Sequence, residues 1–256
     1  MKVRKFALAT AAVLVLSVVG FTVASAPAQA AAKEPVVIVG GTFAGDFTAS
    51  VYYAPLAARL RSDGYPAYIF ALPNAGLGDA RNSAAALNSF VDSVRAVTGS
   101  ARVSLVAHSQ GGMVSRYYIK NLGGVNEVTS LVNLAAVNYV TGLANVAKLL
   151  GLGSCVGIIG CQQMAIGSSF LNDLNAGDDT IGNVRYTNIV TAQDEIIIPY
   201  TNGYLNNDGN NVNVKVQSKC WARLVGHVSI ALDGTVYSGI RQALAQQAID
   251  LDCWAL

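Results

Sequence analysis

The sequence predicts an α/β fold, in which a central and mostly parallel sheet is flanked by helices. Short apolar runs with the length of buried strands alternate along the chain with segments whose apolar residues recur at helical spacing. This alternation indicates parallel β-α units, because two parallel neighbouring strands need a long crossover connection, which is usually a helix. No internal repeat or low-complexity linker breaks the sequence. We therefore expect one folded domain.

The predicted elements follow one another in order after residue 35. Strands are expected at residues 36–39, 68–71, 103–107, 128–136, 186–191 and 212–216. Helices are expected at residues 53–60, 87–97, 113–120 and 240–248, where one apolar face repeats. Glycine follows the first two helices and predicts their ends. The last strand alternates valine with polar residues, which predicts a half-exposed strand near a sheet edge.

One long segment, residues 138–180, interrupts the alternation. It is apolar and rich in glycine, which disfavours a single long helix. We expect a short helix at residues 143–150 and then a loop that a disulfide pins. Such an insertion packs on the core, or it forms a small apolar cap that lines a substrate groove, and the two roles are compatible.

The first thirty residues have the features of a signal peptide. Three basic residues precede an apolar run at residues 6–24, and Ala28-Gln29-Ala30 offers a small-x-small cleavage site. A retained membrane anchor is the alternative, because the run is long enough to span a bilayer. No basic flank follows the run, so we expect cleavage after Ala30, with a cut after Ala26 as a variant. Residues 31–256 would then form a secreted domain.

The charge balance excludes some classes of partner. The chain has 17 lysines and arginines against 15 acidic residues, and three of the basic residues lie in the first thirty positions. The rest is close to neutral and has no basic cluster, so we expect no nucleic-acid partner. With 12% charged and 52% hydrophobic residues, the composition suits a compact secreted protein with an apolar working surface. We expect a monomer without a cofactor.

All four cysteines lie in the second half of the chain, at Cys155, Cys161, Cys220 and Cys253. An even number in an exported chain predicts two disulfides, with three possible pairings. We prefer Cys155–Cys161, which closes a short glycine-rich loop, and Cys220–Cys253, which ties down the C-terminal segment. Zinc is the rival interpretation, but no Cys-x-x-Cys spacing supports it. No cluster of carboxylates suggests calcium either, so we expect no metal.

The stretch Ala107-His108-Ser109-Gln110-Gly111 predicts a nucleophilic serine. It stands between a predicted strand and a predicted helix, with small residues two places before and two places after Ser109. This is the nucleophile-elbow pattern, in which a tight turn raises the serine hydroxyl and the next helix points its N–H groups at developing negative charge. An ordinary strand–turn–helix with a capping serine is the alternative.

A serine nucleophile needs a base, and the chain has only two histidines. His108 adjoins Ser109, and at a strand-to-turn junction its ring should point away from the hydroxyl, so we interpret it as a packing residue. His227, in a small-residue loop after the last strand, is therefore the predicted base. A structural role is the alternative for a lone histidine.

The acid that orients the base should lie between Ser109 and His227 in the chain. Asp194 follows a predicted strand at the carboxyl edge of the sheet, where Ser109 also emerges, so it is the preferred acid. Glu195 is its one serious competitor. The other candidates are Glu127; Asp173, Asp178 and Asp179, which are expected in a surface loop; and Asp208, which is expected in an Asn/Gly-rich turn.

Acyl transfer also needs donors for an oxyanion. One is expected from the backbone N–H of Gln110, whose side chain is given no role. The other is expected from Thr42, in the loop Gly40-Gly41-Thr42-Phe43 that follows the first strand. The glycines there let the backbone come close to a substrate, and the hydroxyl of Thr42 is expected to add a second bond.

Taken together, these motifs resemble the class 2 lipases, which are small secreted bacterial α/β-hydrolases. The resemblance covers roughly residues 35–250 and rests on the glycine-rich loop, the elbow, Asp194-Glu195 with Pro199, and Gly226-His227. Alanine at the first elbow position matches a form that some of these lipases have. Many lipases carry His-Gly in the oxyanion loop where this chain has Gly40-Gly41, which weakens inference about substrate size but leaves the backbone donor.

The resemblance implies an α/β-hydrolase fold, lipase or esterase activity, a Ser109–Asp194–His227 triad, and an oxyanion hole formed by Thr42 and Gln110. The substrate would be a lipid or another apolar ester, with transient contact at a lipid–water interface. A polyester, cutin or peptide substrate is the alternative within the enzymes. A non-catalytic binding protein on the same scaffold is the alternative outside them.

Overall fold

The computed structural model describes residues 33–139, 141, 142, 147, 155–206 and 209–256. The predicted signal peptide lies outside the described residues. So does nearly all of the helix predicted at residues 143–150.

Six strands form one sheet in the described part of the chain, and every pairing between neighbours is parallel. In spatial order the sheet runs β2-β1-β3-β4-β5-β6. The strands are β1 Val36–Val39, β2 Ala67–Phe70, β3 Val103–His108, β4 Val128–Leu134, β5 Arg185–Val190 and β6 Asn211–Lys215. The prediction of a parallel sheet flanked by helices is thereby confirmed, and β6 lies at the predicted edge.

Helices lie between these strands and after the last one. They are α1 Asp46–Tyr52, α2 Ala54–Ser62, α3 Ala80–Thr98, α4 Gln110–Asn121, α5 Ile159–Met164, α6 Ser169–Asn175, α7 Val216–Lys219 and α8 Gly234–Leu244. Four short 3-10 segments add to them, at Pro73–Gly76, Gly124–Asn126, Tyr200–Gly203 and Ser229–Ala231.

Helix caps and one backbone turn decide where several elements begin and end. The helix predicted at residues 87–97 begins earlier, at Ala80, because the side chain of Asp79 accepts the backbone N–H of Arg81 at 2.9 Å. The predicted closing helix likewise begins at Gly234, after the N-cap Asp233, and ends before Ala248. The strand predicted to reach residue 136 ends at Leu134, because the next residue turns to φ 44°.

The core lies on both faces of the sheet. On one face, α3 and α4 cover the side chains of β1 and β3 that point towards them, such as Val37 and Leu105. On the other face, α2 and α8 cover Val36, Ile38 and Val106. Strand β3 is buried along its whole length. It therefore holds the residue that follows it, Ser109, in a rigid position at the carboxyl edge of the sheet.

The insertion is more helical than predicted. Residues 155–180 contain α5 and α6 in place of a plain loop, and Cys161 lies within α5. Phe170, Leu171 and Leu174 on α6 are buried in the core cluster on the α3–α4 side. The core-packing role predicted for this segment therefore holds for its described part.

Both preferred disulfides are present. Cys155 is bonded to Cys161 and Cys220 to Cys253, and no cysteine among the described residues is free. The second bond joins the segment after β6 to the C-terminal segment that follows α8. His227 lies in the chain between these two cysteines.

Candidate active site

The turn between β3 and α4 places Ser109 in a strained conformation. Its φ and ψ are 56° and −124°, and a positive φ is uncommon for a residue with a side chain. The glycine two places later is required sterically, because a Cβ at Gly111 would lie 2.6 Å from the carbonyl oxygens of Val39 and Gly40. The turn thus has the tight geometry that the elbow pattern predicts.

The structure brings Ser109, His227 and Asp194 into one line of hydrogen bonds. Ser109 Oγ lies 2.9 Å from His227 Nε2. On the other side of the ring, His227 Nδ1 lies 3.0 Å from Asp194 Oδ1 and 3.1 Å from Oδ2. Because a carboxylate only accepts, Nδ1 carries the ring proton, and the lone pair of Nε2 faces the serine hydroxyl. This is the tautomer that a general base needs.

Asp194 is held independently of the histidine. Its Oδ1 also accepts the backbone N–H groups of Ile196 and Ile197, at 2.9 and 2.7 Å. The side chains of Asp194 and His227 are 1% and 2% exposed. Burial keeps water from competing for the pair, and the backbone donors fix the carboxylate plane.

Glu195, the competing acid, binds the same loop in a different way. It is exposed, and its Oε2 accepts the backbone N–H of His227 at 2.9 Å. A Cβ at Gly226 would lie 2.8 Å from the same oxygen, so a side chain there would displace the Glu195 carboxylate. Glu195 therefore supports the loop of His227, while Asp194 faces the ring.

The remaining acid candidates lie elsewhere. Glu127 pairs with Arg95 and accepts the hydroxyl of Tyr118. The expectation of a surface loop was wrong for two of the three aspartates: Asp173 belongs to α6, and Asp179 is buried and accepts the hydroxyl of Tyr139 at 2.7 Å. Asp178 is exposed, as expected, and Asp208 lies outside the described residues.

The backbone N–H groups of Thr42 and Gln110, beside Ser109, are among those without a protein acceptor in the described part of the chain. In the loop after β1, the neighbouring N–H groups are all bonded. That of Gly40 donates to Phe70 O, that of Gly41 to the Tyr53 hydroxyl, that of Phe43 to Ala75 O and that of Ala44 to Gly41 O. The two predicted oxyanion donors are thus free to bind a ligand.

The hydroxyl of Thr42 differs from the expectation. Gln110 Nε2 donates to the carbonyl oxygen of Gly76 at 2.7 Å, which fixes the amide and leaves Oε1 facing Thr42. The Thr42 hydroxyl then donates to that Oε1 at 2.8 Å, so its one proton is not directed at an oxyanion. The fully buried side chain of Gln110 thus holds the loop of Thr42, a contact that the sequence did not indicate.

A cavity of about 140 Å³ opens beside Ser109. Its walls are mostly apolar and come from Phe43, from Tyr52 and Tyr53 around the end of α1, and from Val228 next to His227. No described residue of the 138–180 insertion lines this cavity. The groove-lining role predicted for the insertion therefore finds no support in its described part.

In the described ranges, no three histidine, cysteine, aspartate or glutamate side chains come together in a way that could hold a metal ion. No described helix is both long enough and apolar enough to cross a membrane.

Comparison with known proteins agrees with this geometry. The family model described as "Lipase (class 2)" matches residues 33–236. A triacylglycerol lipase of Burkholderia plantarii is 34% identical over 123 residues, which are 44% of this chain and 34% of that protein. A triacylglycerol lipase of Pseudarthrobacter phenanthrenivorans is 36% identical over 95 residues, 36% of this chain and 30% of that protein. The matched part thus spans about a third of each relative.

Solved structures show the same fold. Aspergillus fumigatus lipase B superposes with a TM-score of 0.72 at 18% identity, over 85% of this chain and 54% of that one. Bacillus licheniformis lipase BlEst2 in its mature form gives a TM-score of 0.60 at 17% identity, over 78% and 87% of the two chains. At these identities the likeness concerns the fold, which is that of the α/β-hydrolases.

Proposed function

The chain belongs to the class 2 lipase family, and from this premise we propose that it is a serine carboxylester hydrolase, a lipase or esterase that forms an acyl-enzyme. The observation that carries the proposal is the unbroken line Ser109–His227–Asp194, with distances of 2.9 and 3.0 Å. The family model covers all three residues.

In the proposed reaction, Ser109 Oγ attacks the ester carbonyl carbon while its proton passes to His227 Nε2. Asp194 stabilises the imidazolium that forms. The C–O bond to the alcohol then breaks, and Nε2–H protonates the leaving oxygen. A water molecule, deprotonated in turn by His227, attacks the acyl-enzyme. Collapse of the second intermediate returns the proton to Ser109 Oγ and releases the carboxylic acid.

The negative charge on the carbonyl oxygen would be bound by the N–H groups of Thr42 and Gln110. Their lack of a protein acceptor supports this role, because it leaves both donors available to a substrate oxygen. Gln110 is the first residue of α4, so the positive end of that helix dipole also favours the oxyanion.

The proposed substrates are acylglycerols or similar apolar esters. The apolar walls of the cavity beside Ser109 favour an acyl chain over a charged peptide. Both curated relatives carry the name triacylglycerol lipase. We expect hydrolysis of tributyrin and triolein, and a rate that rises above the solubility limit of the substrate if the enzyme works at an interface.

An exposed apolar rim supports contact with a lipid–water interface. Phe47 and Val51 on α1 are 81% and 59% exposed, and Val228, which lines the cavity, is 52% exposed. Phe43 and Val228 place apolar surface directly at the mouth of the cavity. The experiment compares the wild type with Phe47→Ser on monomeric and on emulsified tributyrin. The substitution should lower the activity on the emulsion and leave the activity on the monomeric substrate unchanged.

The triad is tested by Ser109→Ala. We expect kcat on p-nitrophenyl butyrate to fall by roughly 10⁶-fold, with an unchanged Tm. A fluorophosphonate should label the wild type on Ser109 and leave the variant unlabelled. Normal hydrolysis by Ser109→Ala would refute the proposal, and a wild type that takes no label would favour a non-catalytic binding protein.

Residues 31–256 are proposed to act as a secreted, monomeric catalytic domain after loss of residues 1–30. The two disulfides support this, since such bonds persist mainly in oxidising compartments. N-terminal sequencing of protein recovered from the medium tests the cleavage site, and light scattering tests the oligomeric state. A mature protein that begins at residue 1 and stays with the membrane would support the anchor alternative.

A further inference from the structure

His108 lies between the two loops that carry the proposed oxyanion donor and the proposed base. Its side chain is buried, although the elbow pattern gives this position no chemical task. Its Nδ1 lies 2.9 Å from the hydroxyl of Tyr53, and its Nε2 lies 2.9 Å from the backbone carbonyl oxygen of His227. The packing role that the sequence suggested does not account for two such contacts.

The direction of each hydrogen bond follows from its partners. The carbonyl oxygen of His227 only accepts, so Nε2 of His108 carries a proton. Burial, with a smaller contribution from the nearby His227, lowers the pKa of His108 to about 3, so the ring is neutral at pH 7. Nδ1 therefore has a lone pair, and the hydroxyl of Tyr53 must donate to it.

The Tyr53 oxygen is bonded on its other side as well. It accepts the backbone N–H of Gly41 at 2.9 Å, and burial raises the pKa of the Tyr53 hydroxyl, which keeps its proton in place. One ordered chain therefore runs from Gly41 N–H to the Tyr53 hydroxyl, on to His108 Nδ1, and from His108 Nε2–H to the carbonyl of His227. Every donor in it faces an acceptor.

We propose that His108 and Tyr53 are positioning residues, which set the oxyanion loop and the loop of the base at a fixed distance from Ser109. One end of the chain holds Gly41, the residue before Thr42. The other end holds the backbone of His227. A Cβ at Gly41 would lie 3.0 Å from Ser109 Cβ, so this loop has little freedom to adjust if the chain of hydrogen bonds is broken.

A positioning role makes a kinetic prediction. The oxyanion donor and the base act mainly on the transition state, so a small displacement of either should lower kcat and change KM little. For Tyr53→Phe and for His108→Phe we expect kcat on p-nitrophenyl butyrate to fall on the order of 10- to 100-fold. The double variant should lose much less than the product of the two losses, because both changes break the same chain.

Two conservative variants separate the two ends of the chain. In His108→Asn the amide lies near the position of Nδ1 and can keep the bond to Tyr53. In His108→Gln the amide lies near the position of Nε2 and can keep the bond to His227. Each should recover part of the kcat that His108→Phe loses. Tyr53→Phe should be more harmful in the Asn background, where it breaks the bonds to both Gly41 and residue 108, than in the Gln background, where only the bond from Gly41 is left to lose.

Tyr118→Phe is the matched control. Tyr118 is as buried as Tyr53, and its hydroxyl donates to Glu127 at 2.6 Å, away from the triad. It should lower Tm and leave kcat within about twofold of the wild type. The proposal is overturned if Tyr53→Phe and His108→Phe behave like this control, or if they raise KM at constant kcat.

The proposal rests on the proposed serine mechanism, and the two can fail separately. If Ser109→Ala stays active, the mechanism itself is wrong. If Ser109→Ala is inactive while Tyr53→Phe and His108→Phe keep the wild-type kcat, only the positioning role is wrong. Should His108→Phe fail to fold, Tyr53→Phe, which deletes one oxygen atom, decides the question alone.

Discussion

Replacement of Asp194 by asparagine tests the most specific feature of the site, the choice of one acid from two neighbours. The change keeps the size of the side chain and removes its charge. Asp194 Oδ1 accepts two backbone N–H groups, so the asparagine oxygen should take that position and its NH₂ group the position of Oδ2. A donor then lies 3.1 Å from His227 Nδ1 in place of one of its two acceptors, while the oxygen at the Oδ1 position stays 3.0 Å away. The ring tautomer with its proton on Nε2, which cannot accept the proton of Ser109, therefore gains population.

The magnitude follows from the lost charge. When His227 becomes an imidazolium, an ion pair at roughly 4 Å between charge centres, in a site with an effective dielectric constant of about 20, is worth about 4 kcal/mol. At about 1.4 kcal/mol for each factor of ten, that is a loss of roughly 10³-fold in kcat. The unfavourable tautomer adds to this loss.

Glu195→Gln is the matched control, because it also removes one negative charge beside the loop of His227. Its amide oxygen can still accept the backbone N–H of His227, a bond of 2.9 Å at an exposed side chain. We expect a change in kcat within about fivefold. Both variants are assayed with p-nitrophenyl butyrate across a range of pH. The reasoning fails if Asp194→Asn keeps more than a tenth of the wild-type kcat, or if Glu195→Gln loses as much as Asp194→Asn.

Three further predictions concern the surroundings of the triad. Gln110→Ala removes the acceptor of the Thr42 hydroxyl, so we expect kcat to fall by more than tenfold and the unfolding free energy by about 1–3 kcal/mol. Gln110→Glu keeps that acceptor and should retain more activity. Full activity of Gln110→Ala would contradict the role given to the side chain. Gly111→Ala puts a methyl group 2.6 Å from two carbonyl oxygens, so labelling by a fluorophosphonate should nearly cease. Replacement of Cys220 and Cys253 by alanine removes a disulfide between residues 33 positions apart. In urea titrations the unfolding free energy should fall by roughly 2–4 kcal/mol, and the folded protein should keep its kcat. An unchanged midpoint of urea unfolding would show that the disulfide adds no stability.

Much of the fold could be predicted because periodicity reports burial. Strands such as residues 36–39 and 103–107 are continuous apolar runs, and runs of this kind occur where both faces of a sheet are covered. The positions of the ends of helices and strands are predicted less accurately. The helix at Ala80–Thr98 begins seven residues before its predicted start, since a polar first turn capped by Asp79 carries no hydrophobic period.

The sequence by itself also determined the chemical members of the site. With two histidines in the chain, and one of them adjacent to the serine, His227 was the predicted base before any distance was known. The elbow spacing in turn selected Ser109. These predictions can be made from the sequence because they depend on residue types, chain order and local sterics.

Only the tertiary structure distinguishes the contacts of Asp194 from those of Glu195, and only it shows what the side chains of His108 and Gln110 bind. Neighbours in sequence can point to different targets, and here one carboxylate faces the ring of His227 while the next binds its backbone. The bonds of His108 and Gln110 join loops that lie 34 to 119 residues apart in the chain. Such contacts depend on how the loops meet at the carboxyl edge of the sheet, and no local pattern in the sequence encodes that meeting.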